Sequence, residues 1–112
     1  GFQTVICNRP NGEEEDQPVY AEIKKACDEN DIKCFFIPIS PGELDPGKVF
    51  ELNSIMQKEK KTLAYCRTGN RSVTQWALAN AKDLDAETIL IKCENAGFNL
   101  NNLKDVLLAI KG

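Results

Sequence analysis

Residues 66–72 read Cys-Arg-Thr-Gly-Asn-Arg-Ser, between the apolar run 62–65 and a stretch with helical spacing. A thiol followed closely by guanidinium groups and a glycine suits nucleophilic attack on an anion. If Cys66 ends a strand and the chain turns directly into a helix, the backbone N–H groups of the turn converge into an anion nest. The helix N-terminus adds positive potential at the same point. Gly69 supplies the backbone freedom such a turn needs. Thr68, Gly69 and Asn70 are therefore candidate anion-binding residues. Arg67 and Arg71 add fixed positive charge, with Arg71 placed to fork around an oxyanion or a persulfide. Ser72 is expected either to cap the helix or to donate a hydrogen bond to the sulfur.

Such a loop can activate a thiol without a base. A free cysteine, with pKa about 8.5, is roughly 3% thiolate at pH 7. A drop of about two units is ordinary for a thiol at a helix N-terminus beside arginine, and brings it to roughly 75%. That drop corresponds to about 2.7 kcal/mol of differential stabilisation. Self-sufficiency matters here, because the chain contains no histidine. Ser-His-Asp and Cys-His catalysis and histidine-ligated metal or haem are thereby excluded within these residues. The competing reading makes Cys66 a strand-end cysteine buried for packing, with solvated arginines.

Alternating elements must position the loop. Residues 3–7 and 32–39 and the run 62–66 read as strands. Pro18 opens a helix whose inward face is Val19, Ile23, Ala26 and Cys27. Asp45-Pro46 opens a second, with Val49, Leu52, Ile55 and Met56 inward. Ser72–Leu84 forms a third, burying Val73, Trp76, Ala77 and Leu84. Residues 86–97 admit a strand at 88–91. The spacing of Ile89, Leu90, Cys93 and Ala96 favours a helix closed by Gly97. A last helix, about Asn101 to Lys111, buries Leu103, Val106, Leu107 and Ile110. The alternation predicts an α/β fold, a parallel sheet with helices on both faces in three layers. Ligands then sit beyond the carboxyl ends of the strands. Asn8-Arg9-Pro10, Glu43 to Asp45 and Cys66 to Ser72 all meet that edge.

Other residues have two readings each. Arg9 either binds an anion or pairs with Glu13 to Glu15. Asp45 is a candidate general acid, with helix capping the stronger role. Cys7 is either a second thiol at the site or buried packing, and packing is favoured. Cys27, Cys34 and Cys93 fall on apolar faces and are expected in the core, and Trp76 is expected to pack against the sheet. The run 57–61, Gln-Lys-Glu-Lys-Lys, reads as a solvated helix end.

The segment "YCRTGNRS" resembles the active-site loop of rhodanese sulfurtransferases, with four residues between cysteine and arginine. Tyrosine and dual-specificity phosphatases place five there, usually after a histidine, where this chain has Ser72 and Tyr65. Along nearly its whole length the chain is similar to another group. "GFQTVICNRPNGEEEDQP", "FFIPIS", "LAYCRTGNRSVTQWAL" and "NAGFNLNNL" resemble the phosphatase-like domain of beta-lactamase-hydrolase-like proteins. That family is also described as a bacterial sulfur transferase family. The resemblance implies a fold like the protein tyrosine and dual-specificity phosphatases, carrying a loop of rhodanese length. It further implies one domain over residues 1–112 that lacks a strand and helix found before Gly1 in relatives. Some members are fused to a persulfide dioxygenase domain, whose histidine-rich metal motif this chain does not contain.

The expectation is a sulfurtransferase. Cys66 takes sulfane sulfur from thiosulfate or a persulfide, Arg71 and the nest stabilise the charged intermediate, and Arg67 attracts the donor. The partners are a small anionic sulfur donor, a thiol acceptor and a sulfide-oxidation enzyme such as persulfide dioxygenase; no cofactor or metal is required. The alternatives are a cysteine-dependent phosphatase using Asp45, or a non-catalytic domain sensing redox state or an anion. The 112 residues carry a net charge of −3, with 42% hydrophobic and 28% charged residues. That balance suits a globular domain and argues against nucleic acid as partner. No apolar run reaches the roughly 18 residues of a membrane span. Five cysteines at irregular spacing fit reduced thiols, and so a cytoplasmic setting.

Overall fold

The computed structural model describes residues 1–59 and 61–112. At its centre is β1 (Thr4–Cys7), buried along its whole length. Its neighbours are β2 (Lys33–Phe36) and β3 (Thr62–Tyr65), giving a parallel sheet of order β2-β1-β3. Cys7 pairs with Phe36 on one side and Tyr65 on the other. The β1–β2 and β2–β3 connections run in opposite directions across the sheet. With right-handed crossovers, α1 (Tyr20–Glu29) and α2 (Pro46–Lys58) must lie on opposite faces.

Side-chain parity bears this out. Ile6 and its partners Phe35 and Ala64 face Leu52 and Ile55 of α2. Cys7, Phe36 and Tyr65 share the other face, where Tyr20 of α1 stacks on Phe36 with ring centroids 4.4 Å apart. On the α2 side lie α3 (Asn70–Asn80), α4 (Ala86–Asn95) and α5 (Lys104–Lys111). A second cluster joins them through Ala77, Leu78, Ile89, Cys93 and Leu107. Burying a side chain such as Leu107 is worth about 1.5–3 kcal/mol. The fold is thus α/β with helices on both faces, as the alternation predicts.

Several boundaries differ from expectation, each for a physical reason. β2 ends at Phe36, and just beyond it Ile37 N–H still donates to Cys7 O at 2.9 Å, but the register is then lost, because Ile39 N–H donates to Asn8 O instead of Arg9 O. On α1, Ile23 and Cys27 turn inward but Ala26 is exposed and Val19 is largely so. α3 starts at Asn70, before Ser72, and ends at Asn80, whose carbonyl accepts from both Asp83 and Leu84 N–H groups. Residues 86–95 are helical, and Gly97 follows at φ +96° while Phe98 N–H closes on Cys93 O at 2.8 Å. Ala96 is exposed. A 3-10 turn, Asn101–Leu103, precedes α5, and Val106 is exposed. Of the run 57–61, Lys60 lies outside the described residues.

Candidate active site

β3 delivers the loop. Asn8 N–H donates to Tyr65 O at 2.7 Å, so the ends of β1 and β3 are tied together. The next residue, Cys66, turns onto the α2 side and is 9% exposed. The chain reverses through Gly69 at φ +90°, a left-handed angle that disfavours side chains. A Cβ there would also stand 2.9 Å from the Phe98 ring. Glycine is required on both counts, and it is Gly69 rather than Ser72 that occupies the N-cap position of α3.

This turn aims donors at the sulfur. Gly69 N–H donates to Cys66 Sγ at 3.2 Å. Burial pushes the Cys66 thiol up, but the N–H groups of Ser72, Gly69 and Thr68 outweigh it, and the net shift is downward. Burial without such donors pushes Cys93 and Cys27 up instead. Those two are core residues as expected, whereas Cys34 is only half-buried. The Ser72 hydroxyl carries one proton, and in this arrangement it donates to Oδ1 of the fully buried Asn8 at 2.8 Å. Asn8 Nδ2 in turn donates to Ile37 O at 2.9 Å, which fixes the amide's orientation.

Arg71 sits beside the sulfur and is held by an acidic strap. Its two terminal nitrogens fork onto Glu13 at 2.6 and 2.8 Å, and Nη1 also donates to Ile39 O at 2.7 Å. Glu13, chiefly through this hydrogen bond to Arg71, has its carboxyl held below the usual range. Arg9 donates to Glu13 at 3.2 Å and pairs with Glu14 at 3.4 Å. Arg67, exposed, pairs with Glu14 at 2.9 Å. Residues 8–18 are themselves braced, with Gln17 Nε2 donating to Pro10 O and Asn11 Oδ1 accepting from Tyr20 N–H. All three arginines thus face carboxylates, and Arg9 takes the ion-pairing role of its two readings.

Cys66, Arg67, Thr68, Gly69, Asn70, Arg71 and Ser72 therefore come together, with Arg9 joined to them through Glu13. Thr68 Oγ1 accepts from Asn70 N–H at 3.4 Å, stiffening the turn. Asp45 does not join the site. Its carboxylate accepts from the Gly47 and Lys48 N–H groups at 2.9 and 3.4 Å, capping α2. Cys7 does not join either, since it shares the sheet face of Tyr65 and donates to Arg9 O at 3.4 Å. A cavity of about 600 Å³ borders the loop at Arg67, Thr68, Asn70 and Arg71, with Thr74, Gln75 and Glu43 among its other lining residues. Glu43 is held ionised by Lys48, 2.8 Å away.

Glu13 and Asn8 are the site residues that sequence reasoning did not single out. An acidic run directly after a strand, at an edge expected to carry three arginines, was the available signal for Glu13. Among the described residues no group of three or more Cys, Asp or Glu side chains is arranged to hold a metal ion.

Comparison with known proteins places these features in context. The sequence profile of the family described as "Beta-lactamase hydrolase-like protein, phosphatase-like domain" matches residues 1–83. A curated beta-lactamase hydrolase-like protein of Agrobacterium fabrum is 31% identical over 84 residues, covering 74% of this chain and 20% of the relative. The chain thus spans about one fifth of that relative's length. The crystal structure of a candidate phosphatase from Neisseria meningitidis superimposes with TM-score 0.84 at 31% identity, over 98% of this chain and 80% of the other. The core catalytic domain of a PP-IP phosphatase from S. cerevisiae, in complex with citrate, gives TM-score 0.67 over 98% and 66% of the two chains. At 14% identity, that second likeness establishes the fold alone. The parallel sheet with its helices is that of a phosphatase-type fold.

Proposed function

Since the chain belongs to the family of the phosphatase-like domain of beta-lactamase hydrolase-like proteins, we propose that it is a cysteine-dependent phosphatase acting on a phosphoester. The observation that carries this reading is the cradle of Thr68, Gly69 and Ser72 N–H groups, which lowers the Cys66 thiol against its burial. The 31% identical candidate phosphatase, alike over almost the whole chain, supports the same reading. The Cys66 thiolate attacks phosphorus, an S–P bond forms, and the P–O bond to the leaving group breaks with its electron pair. The loop N–H groups and Arg71 hold the phosphoryl oxygens through this step. Water then attacks phosphorus, releasing inorganic phosphate and regenerating the thiolate. Asp45 is occupied as a helix cap and Glu43 is ionised, so the departing oxygen takes its proton from water. Substrates with acidic leaving groups, such as aryl phosphates, are therefore favoured.

A second reading, sulfur transfer, is favoured by one feature: only four residues separate Cys66 from Arg71. In that reaction the thiolate takes the outer sulfur of thiosulfate, sulfite leaves, and the Cys66 persulfide passes its sulfur to a thiol or to cyanide. No acid is needed. A sulfide-oxidation enzyme such as a persulfide dioxygenase is the partner class in that case. Parallel assays separate the two. Release of phosphate from an aryl phosphate, abolished in Cys66→Ser, is the expected result. Thiocyanate formation from thiosulfate and cyanide without phosphate release would move the assignment to sulfur transfer.

A further inference from the structure

A second cavity, of about 390 Å³, is mostly apolar, lined by Leu44, Val49, Phe50, Leu78, Val106 and Ile110 together with Asp45, whose carboxylate is held as the α2 cap, Asn53 and Lys82. Leu44 borders both cavities. So does α3, whose Arg71, Gln75 and Leu78 follow at intervals of four and three residues on one face. At 1.5 Å of rise per residue, this wall runs about 10 Å from Arg71 to Leu78. Opposite it, Leu103 borders the anion end, and Val106 and Ile110 border the apolar end. The family match ends at residue 83, so this opposite wall lies outside it.

We propose that the substrate is a phosphomonoester with an extended apolar leaving group, which lies in the groove along α3 while its phosphate occupies the Cys66 loop. This rests on the phosphatase reading and specifies its substrate class. The polarity of the groove selects such a molecule. Its near end presents Arg67 and Arg71. Its far end leaves Phe50 74%, Leu44 54% and Val106 37% exposed, a contiguous apolar surface that a bound chain would cover. The volume lies within the range of small-molecule sites, roughly 300–1,000 Å³. The loop reaches the groove through Arg67, Thr68, Asn70 and Arg71, which line its near end.

The test is a series of 4-alkylphenyl phosphates from methyl to octyl, in which leaving-group acidity stays nearly constant while apolar length grows. The expected result is a kcat/KM that rises by about fourfold for each methylene fully buried, then levels off at the groove's end. Phe50→Asp and Val106→Asp are both expected to flatten that rise. A flat series in the wild type, with the methyl compound hydrolysed through Cys66, would overturn this proposal and leave the phosphatase reading standing. A rise kept in both variants would overturn it too. So would a rise that tracks dimer formation in sedimentation, which gives the groove to a second copy of the chain. No hydrolysis of any member would overturn the proposal and the phosphatase reading together.

Discussion

Cys66 and Glu13 are the residues on which the proposed chemistry turns, and both lend themselves to measurement. Because the loop donors lower the Cys66 thiol, its alkylation by iodoacetamide should titrate with an inflection below the roughly 8.5 of a free cysteine. Rates rising only above that value would mean the nest does not activate the sulfur. Glu13 competes with any substrate anion for Arg71. Glu13→Gln should therefore tighten binding of inorganic phosphate roughly tenfold, in line with about 1.5 kcal/mol for a hydrogen bond to a charged group. Calorimetric titration would detect this. The carboxyl is depressed in the fold, so its stabilising contribution is complete above its unfolded pKa of about 4.3 and is lost as pH falls through the lower folded value. Acid unfolding of Glu13→Gln should accordingly be less steep than that of the wild type in this window. The Glu13–Arg71 contact spans 58 residues of sequence, which is why a local reading of the acidic run could only pair Glu13 with Arg9.

At the scale of elements, the sequence disclosed helices and strands more readily than their ends. Asp45-Pro46 marked the start of α2 correctly, since a capping carboxylate and a proline at the first turn act locally. Asp45→Ala should cost about 0.5–2 kcal/mol in urea unfolding while hydrolysis of an activated aryl phosphate persists. A large loss of turnover with stability unchanged would reinstate Asp45 as the acid. The start of α3 was misread because Ser72 has the composition of a cap, whereas Gly69 reaches that position through a left-handed angle and the ring of Phe98. Gly69→Ala should destabilise by at least about 1–3 kcal/mol from backbone strain alone. A Gly69→Ala, Phe98→Ala pair should relieve the steric part but not the strain, as paired denaturation curves would reveal.

The whole molecule places one small sheet between unequal layers. The α1 side is thin, and Leu63 on β3 remains 41% exposed. The other side carries two clusters linked through α3, so the helix that starts at the Cys66 loop also anchors α4 and α5. Leu107, 1% exposed, locks α5 onto this assembly, and Leu107→Ala should cost about 2–5 kcal/mol by denaturant melting. Alternation of strands and helices was enough to foresee the layers and the edge where the loops meet. The groove was not foreseeable, because Val106 has the spacing of a core residue and only packing leaves it open. No helix among the described residues is long and apolar enough to cross a membrane. The most direct test of the central claim is intact-mass analysis of protein quenched in acid during turnover of an aryl phosphate. A phosphoryl adduct mapped to Cys66, and absent from Cys66→Ser, is the predicted result. Turnover without any adduct on Cys66, or with the adduct on another residue, would contradict it.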